Sequence, residues 1–210
     1  MAQLDALDFQ VHVHALGDRA VRDSLDAVEH ARGRNGDRGN RHHLAHLQII
    51  ARDDLGRFAS TGAIANAQPL WACREAQMDE LTLPFLSPAA RESQYLFRSL
   101  LDAGARLGFG SDWPVSTPDP LAGIHVAVNR RPPGEPGAEP LIEAERLTTA
   151  EALTAYTSGS AYINGLESDT GVLRPGFAAD LAVLDRDLLS DPTGIAGTTV
   201  LDTFVDGVPV

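Results

Sequence analysis

The sequence predicts an α/β fold built on parallel strands with a small β appendage. Strand-like and helix-like segments alternate at intervals of ~20–45 residues over roughly the first 160 positions, the rhythm of parallel strands joined by helices. The tail then changes character, with strand patterns that have no helix between them. The first part holds four strand candidates, half the complement of an eight-stranded TIM-type barrel. The expected domains are residues 1–165, a half barrel, and residues 166–210, the β strands of a sandwich.

Residues Leu7–Ala15 (LDFQVHVHA) alternate apolar and polar side chains, which is a strand pattern. Asp18 is a suitable N-cap for the next helix, in which Val21, Leu25 and Val28 repeat on one face. A loop over Gly33–Asn40 leads to a second strand candidate, His42–Ile50. Asp53–Thr61 reads as a short helix stopped by Gly62, and Ala63–Pro69 as a third strand. Trp71–Pro88 reads as irregular. Ala89–Ala105 reads as one helix packing Leu96, Leu100 and Leu101, and Leu107–Asp112 as a short, glycine-broken fourth strand. Pro132–Pro140 is a turn-rich loop, and Thr148 or Thr149 caps a helix over Ala150–Ala161. Asp180–Leu184 and Val200–Val205 are the strands of the tail.

Composition narrows the function. The net charge of −12 would repel phosphate backbones, so nucleic acid is not an expected partner. One cysteine, Cys73, excludes an internal disulfide and a cysteine metal cluster, and it reads as an inert buried thiol. The acidic opening MAQLDALDF lacks a signal-peptide pattern, and no apolar run is long enough to span a membrane. A cytoplasmic setting without membrane contact is therefore expected.

Four polar residues fall at or just past strand ends: His14, His46, Gln68 and Asp112. In a parallel barrel those ends form the active-site face, where side chains far apart in sequence converge. Imidazole and carboxylate suit zinc, iron or manganese at a hydrolytic site, and such a metal lowers the pKa of bound water to about 7. A carboxylate beside the metal can carry the proton to the leaving amine, and Asp112 is the candidate. Each residue also has a plainer reading. His12 and His14 face the same side of a strand without having to hold metal. His46 fits a buried, hydrogen-bonded histidine, and Asp112 fits a turn cap. His42 and His43, at the strand start, read as surface or bottom-face residues. His30 and His125 fall on helical patterns and read as structural or solvent-facing.

Five stretches, in order, resemble the YtcJ-like branch of the amidohydrolase superfamily (amidohydrolase family 3). They are VHVHALGDRAVRDSLDAVEHA, RHHLAHLQIIARDDLGRFASTGAIANAQPLWA, LLDAGARLGFGSDWPVSTPDPLAGIHVAVNR, LTTAEALTAYTSGSAYINGLESDTGVLRPGFAADLAVLDRDLL and TFVDGVPV. The resemblance covers nearly the whole chain. It implies strands 5–8 of a (β/α)8 barrel, the C-terminal half, plus part of a β-sandwich. By the same resemblance His14 is the strand-5 metal ligand, His46 the strand-6 ligand, and Asp112 the strand-8 ligand and proton shuttle. Gln68 and Trp113 would lie at the substrate pocket, and His12 has no ligand role.

The resemblance also carries departures. Family members are much longer, and their strand-1 HxH pair and strand-4 ligand have no counterpart here. Ala45 stands where relatives commonly carry glutamate before the ligand histidine. The implied activity is metal-dependent hydrolysis of a C–N bond in a small amide, N-acyl or cyclic amide substrate, incomplete in this chain alone. The expected cofactor is a divalent metal, zinc first, with iron or manganese as alternatives. An isolated half barrel exposes two sheet edges, so the expected protein partner is a separate N-terminal half or a second copy. The competing reading is a non-catalytic remnant, a metal-binding or assembly module that holds no metal if its site is vestigial.

Overall fold

A computed structural model describes residues 1–210, which fold as two compact units. The first comprises Met1–Gln68 and Ala76–Leu107, the second Pro69–Glu75 and Gly108–Val210.

The first unit opens with a single helical turn, α1 (Ala2–Asp5), and the first strand, β1, is confined to His12–Ala15. The alternation over Leu7–Val11 therefore overpredicts strand: the Phe9 amide donates back to Leu4 O and closes a turn instead. Helix α2 (Asp18–Asn35) buries Val21, Leu25, Val28 and Ala31 on the expected face. Its N-cap is Gly17, while Asp18 lies in the first turn, where its carboxylate accepts from the Arg19 amide and favours the positive helix end. β2 (His43–His46), α3 (Leu55–Thr61) and β3 (Ile64–Ala67) follow, with Gly62 in the left-handed cap after α3. β1, β2 and β3 pair in parallel, with His12 opposite His43, His14 opposite Ala45, and His46 opposite both Ala15 and Ala67.

The stretch 71–88, expected to be irregular, contains α4 (Ala76–Leu81). The long helix expected over Ala89–Ala105 is two short ones, α5 (Pro88–Arg91) and α6 (Phe97–Asp102). The break has a tertiary cause. Gln94 bridges to Ile49, Tyr95 turns left-handed (φ 51°), and its amide donates to Gln48 O. Pairing with the segment after β2 overrides helix propensity there. Leu96, Phe97 and Leu100 are fully buried. β4 (Arg106–Phe109), which begins in this unit, completes the sheet in the order β1-β2-β3-β4.

The second unit contains α7 (Pro120–Asn129), which includes His125, read from the sequence as lying on a helical pattern but with no helix bounds assigned. Its signal is nevertheless present: Asp119 caps it through the Leu121 amide and Pro120 occupies the first turn. α8 (Thr149–Thr154) starts in a capping box between Thr148 and Glu151, and a π-bulge over Ala155–Gly159 carries the chain into α9 (Ser160–Ile163). The tail forms an antiparallel sheet of β5 (Leu181–Leu184), β6 (Val200–Val205) and β7 (Val208–Pro209). Asp206 and Gly207, both at positive φ, make the tight turn between the last two. No helix is long and apolar enough to cross a membrane.

Candidate metal centre

Parallel pairing puts the C-terminal ends of β1 and β2 side by side, and two imidazoles meet there. His14 Nδ1 lies 2.7 Å from His46 Nε2. At that distance one ring nitrogen donates and the other accepts, so the pair as it stands consists of complementary tautomers. Ala45, directly opposite His14, is too small to fill the space beside its ring.

His46 reaches that position by breaking strand regularity. In register it matches Ala15, which alternation places on the opposite face from His14. His46 adopts φ 73° and Leu47 φ 56°, two successive non-glycine residues in the left-handed region. The Leu47 amide donates to Ala45 O at 3.0 Å, which closes a γ-turn around His46, and to Ala15 O at 3.0 Å. The His46 amide donates to Gln68 Oε1 at 2.8 Å. Gln68 follows β3 directly and is buried, and its own amide nitrogen donates to Asn66 O at 3.3 Å. Backbone strain of this kind concentrates at functional sites.

A second imidazole pair sits two residues earlier on the same strands, where His43 Nε2 is 2.7 Å from His12 Nδ1. His43 Nδ1 faces Arg41 O, so that nitrogen carries the proton and Nε2 accepts from His12. Burial pushes the His43 pKa down, against the Arg41 carbonyl, and the adjacent His12 and His42 push the same way. His42 and His43, expected at the surface or the bottom of the sheet, are both buried. His42 Nδ1 accepts from the Val11 amide, so Nε2 carries the proton and donates to Asp5 Oδ1 at 2.9 Å. The sequence signal for this network was the run of histidines itself, but its partner Asp5 lies 37 positions earlier. Of the remaining candidates, His30 is exposed, His125 is buried beside Asn129, and Cys73 is a buried thiol that donates to Leu70 O.

Asp112 belongs to the second unit, in the turn after β4. It too is left-handed, at φ 57°, and its carbonyl accepts from the Val115 amide. Its side chain is half-buried. Trp113, which precedes a cis proline, is exposed. The same unit contains an apolar cavity of about 920 Å³ lined by Leu121, Ile124, Leu153, Tyr156, Leu181 and Val200, which no sequence motif marked.

The donor chemistry at His14 and His46 fits a divalent metal, since imidazole nitrogen is a ligand that zinc, iron and manganese share. The number of donors does not complete a site. Nowhere in the chain are three or more His, Cys, Asp or Glu side chains gathered closely enough to hold a metal ion.

Comparison with known proteins gives a consistent result. The sequence profile of the amidohydrolase family matches residues 1–210. The chain is 36% identical to the protein LONG AFTER FAR-RED 3 of Arabidopsis thaliana over 97% of its own length and 34% of that protein's. It is 33% identical to an N-substituted formamide deformylase of Arthrobacter pascens, over 96% of this chain and 36% of the enzyme. The crystal structure of a metal-dependent hydrolase from Pyrococcus horikoshii superimposes on 90% of the chain with a TM-score of 0.74 and 30% identity, and 36% of that structure is covered. The chain thus spans about a third of the length of the relatives it matches.

Proposed function

The chain belongs to the amidohydrolase family, and from that premise we propose that it supplies the strand-5 to strand-8 half of a metal-dependent barrel that hydrolyses C–N bonds. In this reading residues 1–165 are the half barrel and residues 166–210 the sandwich strands. The observation that carries it is the convergence of His14 Nδ1 and His46 Nε2 at 2.7 Å on adjacent parallel strand ends. His14 and His46 would hold the metal, with Asp112 as the third donor. The metal, zinc first, supplies water activation and carbonyl polarisation when bound.

The chain's own residues have separate tasks. Asp112, on a left-handed turn, would take a proton from water and return it to the leaving nitrogen. Trp113 would offer its exposed ring to the substrate. The kinship with an N-substituted formamide deformylase makes a small N-acyl compound the substrate class to test first.

A second reading, a metal-binding or assembly module without turnover, is favoured by the gathering of two imidazoles and no third donor. In either case the remaining donors would come from a separate N-terminal half or a second copy.

Elemental analysis of gel-filtered protein, with release of formate from an N-substituted formamide followed in parallel, tests these readings. About one zinc, iron or manganese per chain, lost in His14→Ala and in His46→Ala, is the expected result. Metal-free protein after zinc loading would overturn the metal reading. Bound metal without turnover, alone or with an N-terminal half, would leave the assembly reading.

A further inference from the structure

We propose that Gln68 is a positioning residue: its side-chain oxygen holds His46 in the left-handed turn that carries the imidazole over to His14. Strand alternation alone would aim the His46 ring at the wrong face of the sheet, since His46 is in register with Ala15 and not with His14. Only the turn at φ 73°, continued at φ 56° by Leu47, brings His46 Nε2 to 2.7 Å from His14 Nδ1. A non-glycine residue does not stay in that region without outside support.

The support comes from two directions. The Leu47 amide is held by backbone oxygens of Ala45 and Ala15. The His46 amide is held by a side chain, through Gln68 Oε1 at 2.8 Å. Gln68 is only 4% exposed, and its amide is oriented at both ends: oxygen to the His46 N–H, nitrogen to Asn66 O. That arrangement fixes which end of the amide faces His46. Gln68 therefore acts on the imidazole pair through His46. The inference rests on the geometry of the imidazole pair and stands without the metal.

Selective replacement of the acceptor tests this. Gln68→Met keeps the length of the side chain and removes the oxygen, whereas Gln68→Glu keeps an oxygen in place. In 15N-labelled chain without metal, the wild type is expected to show a 15N–15N coupling across the His14–His46 hydrogen bond and slow exchange of the His46 amide. Gln68→Met is expected to lose both while the rest of the amide spectrum is preserved, and Gln68→Glu is expected to keep both. With zinc, Gln68→Met should bind roughly 10–100-fold more weakly than wild type, the range seen when support of a ligand histidine is removed, and Gln68→Glu should recover the loss. A Gln68→Met variant that keeps the coupling overturns the proposal. If Gln68→Met does not fold, the wild type decides the matter, because fast exchange of its His46 amide would show that Gln68 Oε1 does not hold it. A wild type that binds no zinc yet shows the coupling pattern sinks the metal reading and leaves the positioning role intact.

Discussion

Just before β2, His42 is buried and fully partnered, donating to the Asp5 carboxylate and accepting from the Val11 amide. At the far end of that strand, His46 sits on strained backbone and its Nε2 meets the imidazole of His14, an exposed residue. The same residue type thus serves opposite purposes within four positions. At the strand start the histidine is paired with a carboxylate that also accepts from Asn35 and Asn40, and every member of the network is satisfied. A satisfied buried network adds rigidity. At the strand end, side-chain donors are brought together with no acid between them, at the cost of regular backbone. In parallel α/β sheets stability gathers at the N-terminal face and chemistry at the C-terminal face. His42, just before β2, and His46, at its end, show how the two ends of one strand divide these tasks.

The comparison breaks most visibly at Asp5. Asp5→Ala takes one acceptor each from Asn35 and Asn40, which keep the backbone carbonyls of residues 2 and 5, and leaves the buried His42 Nε2 without one, which should cost roughly 1–3 kcal/mol of stability. The check is the urea midpoint at neutral pH, with metal binding by the refolded chain unchanged. Burial pushes the Asp5 pKa up, but the hydrogen bonds from Asn35, Asn40 and His42 outweigh it and hold the carboxyl below its ordinary value. Its contribution is therefore present above the unfolded pKa of about 3.9 and lost as pH falls through the lower folded value. The gap between wild type and Asp5→Ala should be constant from neutral pH down to mild acid and close in strong acid. A gap that closes near neutrality would mean that Asp5 is not the group responsible.

At the other end a smaller and opposite response is expected. Glycine adopts φ 73° without strain, so His46→Gly gains back part of what it loses in buried surface. Its stability should stay within about 1 kcal/mol of wild type, whereas His42→Ala should fall well below it. Metal binding should show the reverse order: absent in His46→Gly and retained in His42→Ala. Equal destabilisation of both variants would erase the distinction between the two ends.

The distinction was half legible in the sequence. His14 and His46 stood out because each closes a strand pattern, and the structure brings them together. The way His46 turns was not legible, since its left-handed backbone depends on an oxygen from Gln68, 22 positions away. His12 was read with His14 and His43 with His42, yet register places His12 and His43 opposite each other. Alternation and periodicity recovered β1 to β3 and the apolar face of α2 because those patterns are local. They failed at Glu92–Leu96, where the pairing of Gln94 with Ile49 decides the backbone. They put His125 on a helical pattern but did not bound α7, whose residues Ile124–Val128 are buried all round and so lack the one-sided pattern that marks a surface helix. Asp112 was legible as a strand-end carboxylate, and its left-handed turn was foreshadowed only by the neighbouring Gly110 and Pro114.

The smallest expected effect lies between the two ends, at His43. Its Nε2 accepts from His12 and its Nδ1 faces Arg41 O, so the folded chain holds it neutral. Burial, with His12 and His42 beside it, keeps its pKa below the ordinary value. A histidine depressed in the folded state gives its full contribution above the unfolded pKa of about 6.5. As pH falls below that value the unfolded chain takes up the proton first, and stability declines until the folded pKa is reached. Wild-type urea midpoints should therefore slope downward between pH 6.5 and mild acid, before the Asp5 loss begins. His43→Gln, which keeps a neutral hydrogen-bonding side chain, should reduce that slope to the part that His125, also depressed by burial, contributes, and leave the strong-acid limb untouched. A slope unchanged in His43→Gln would assign all of it to His125 and remove His43 from the satisfied end of the strand.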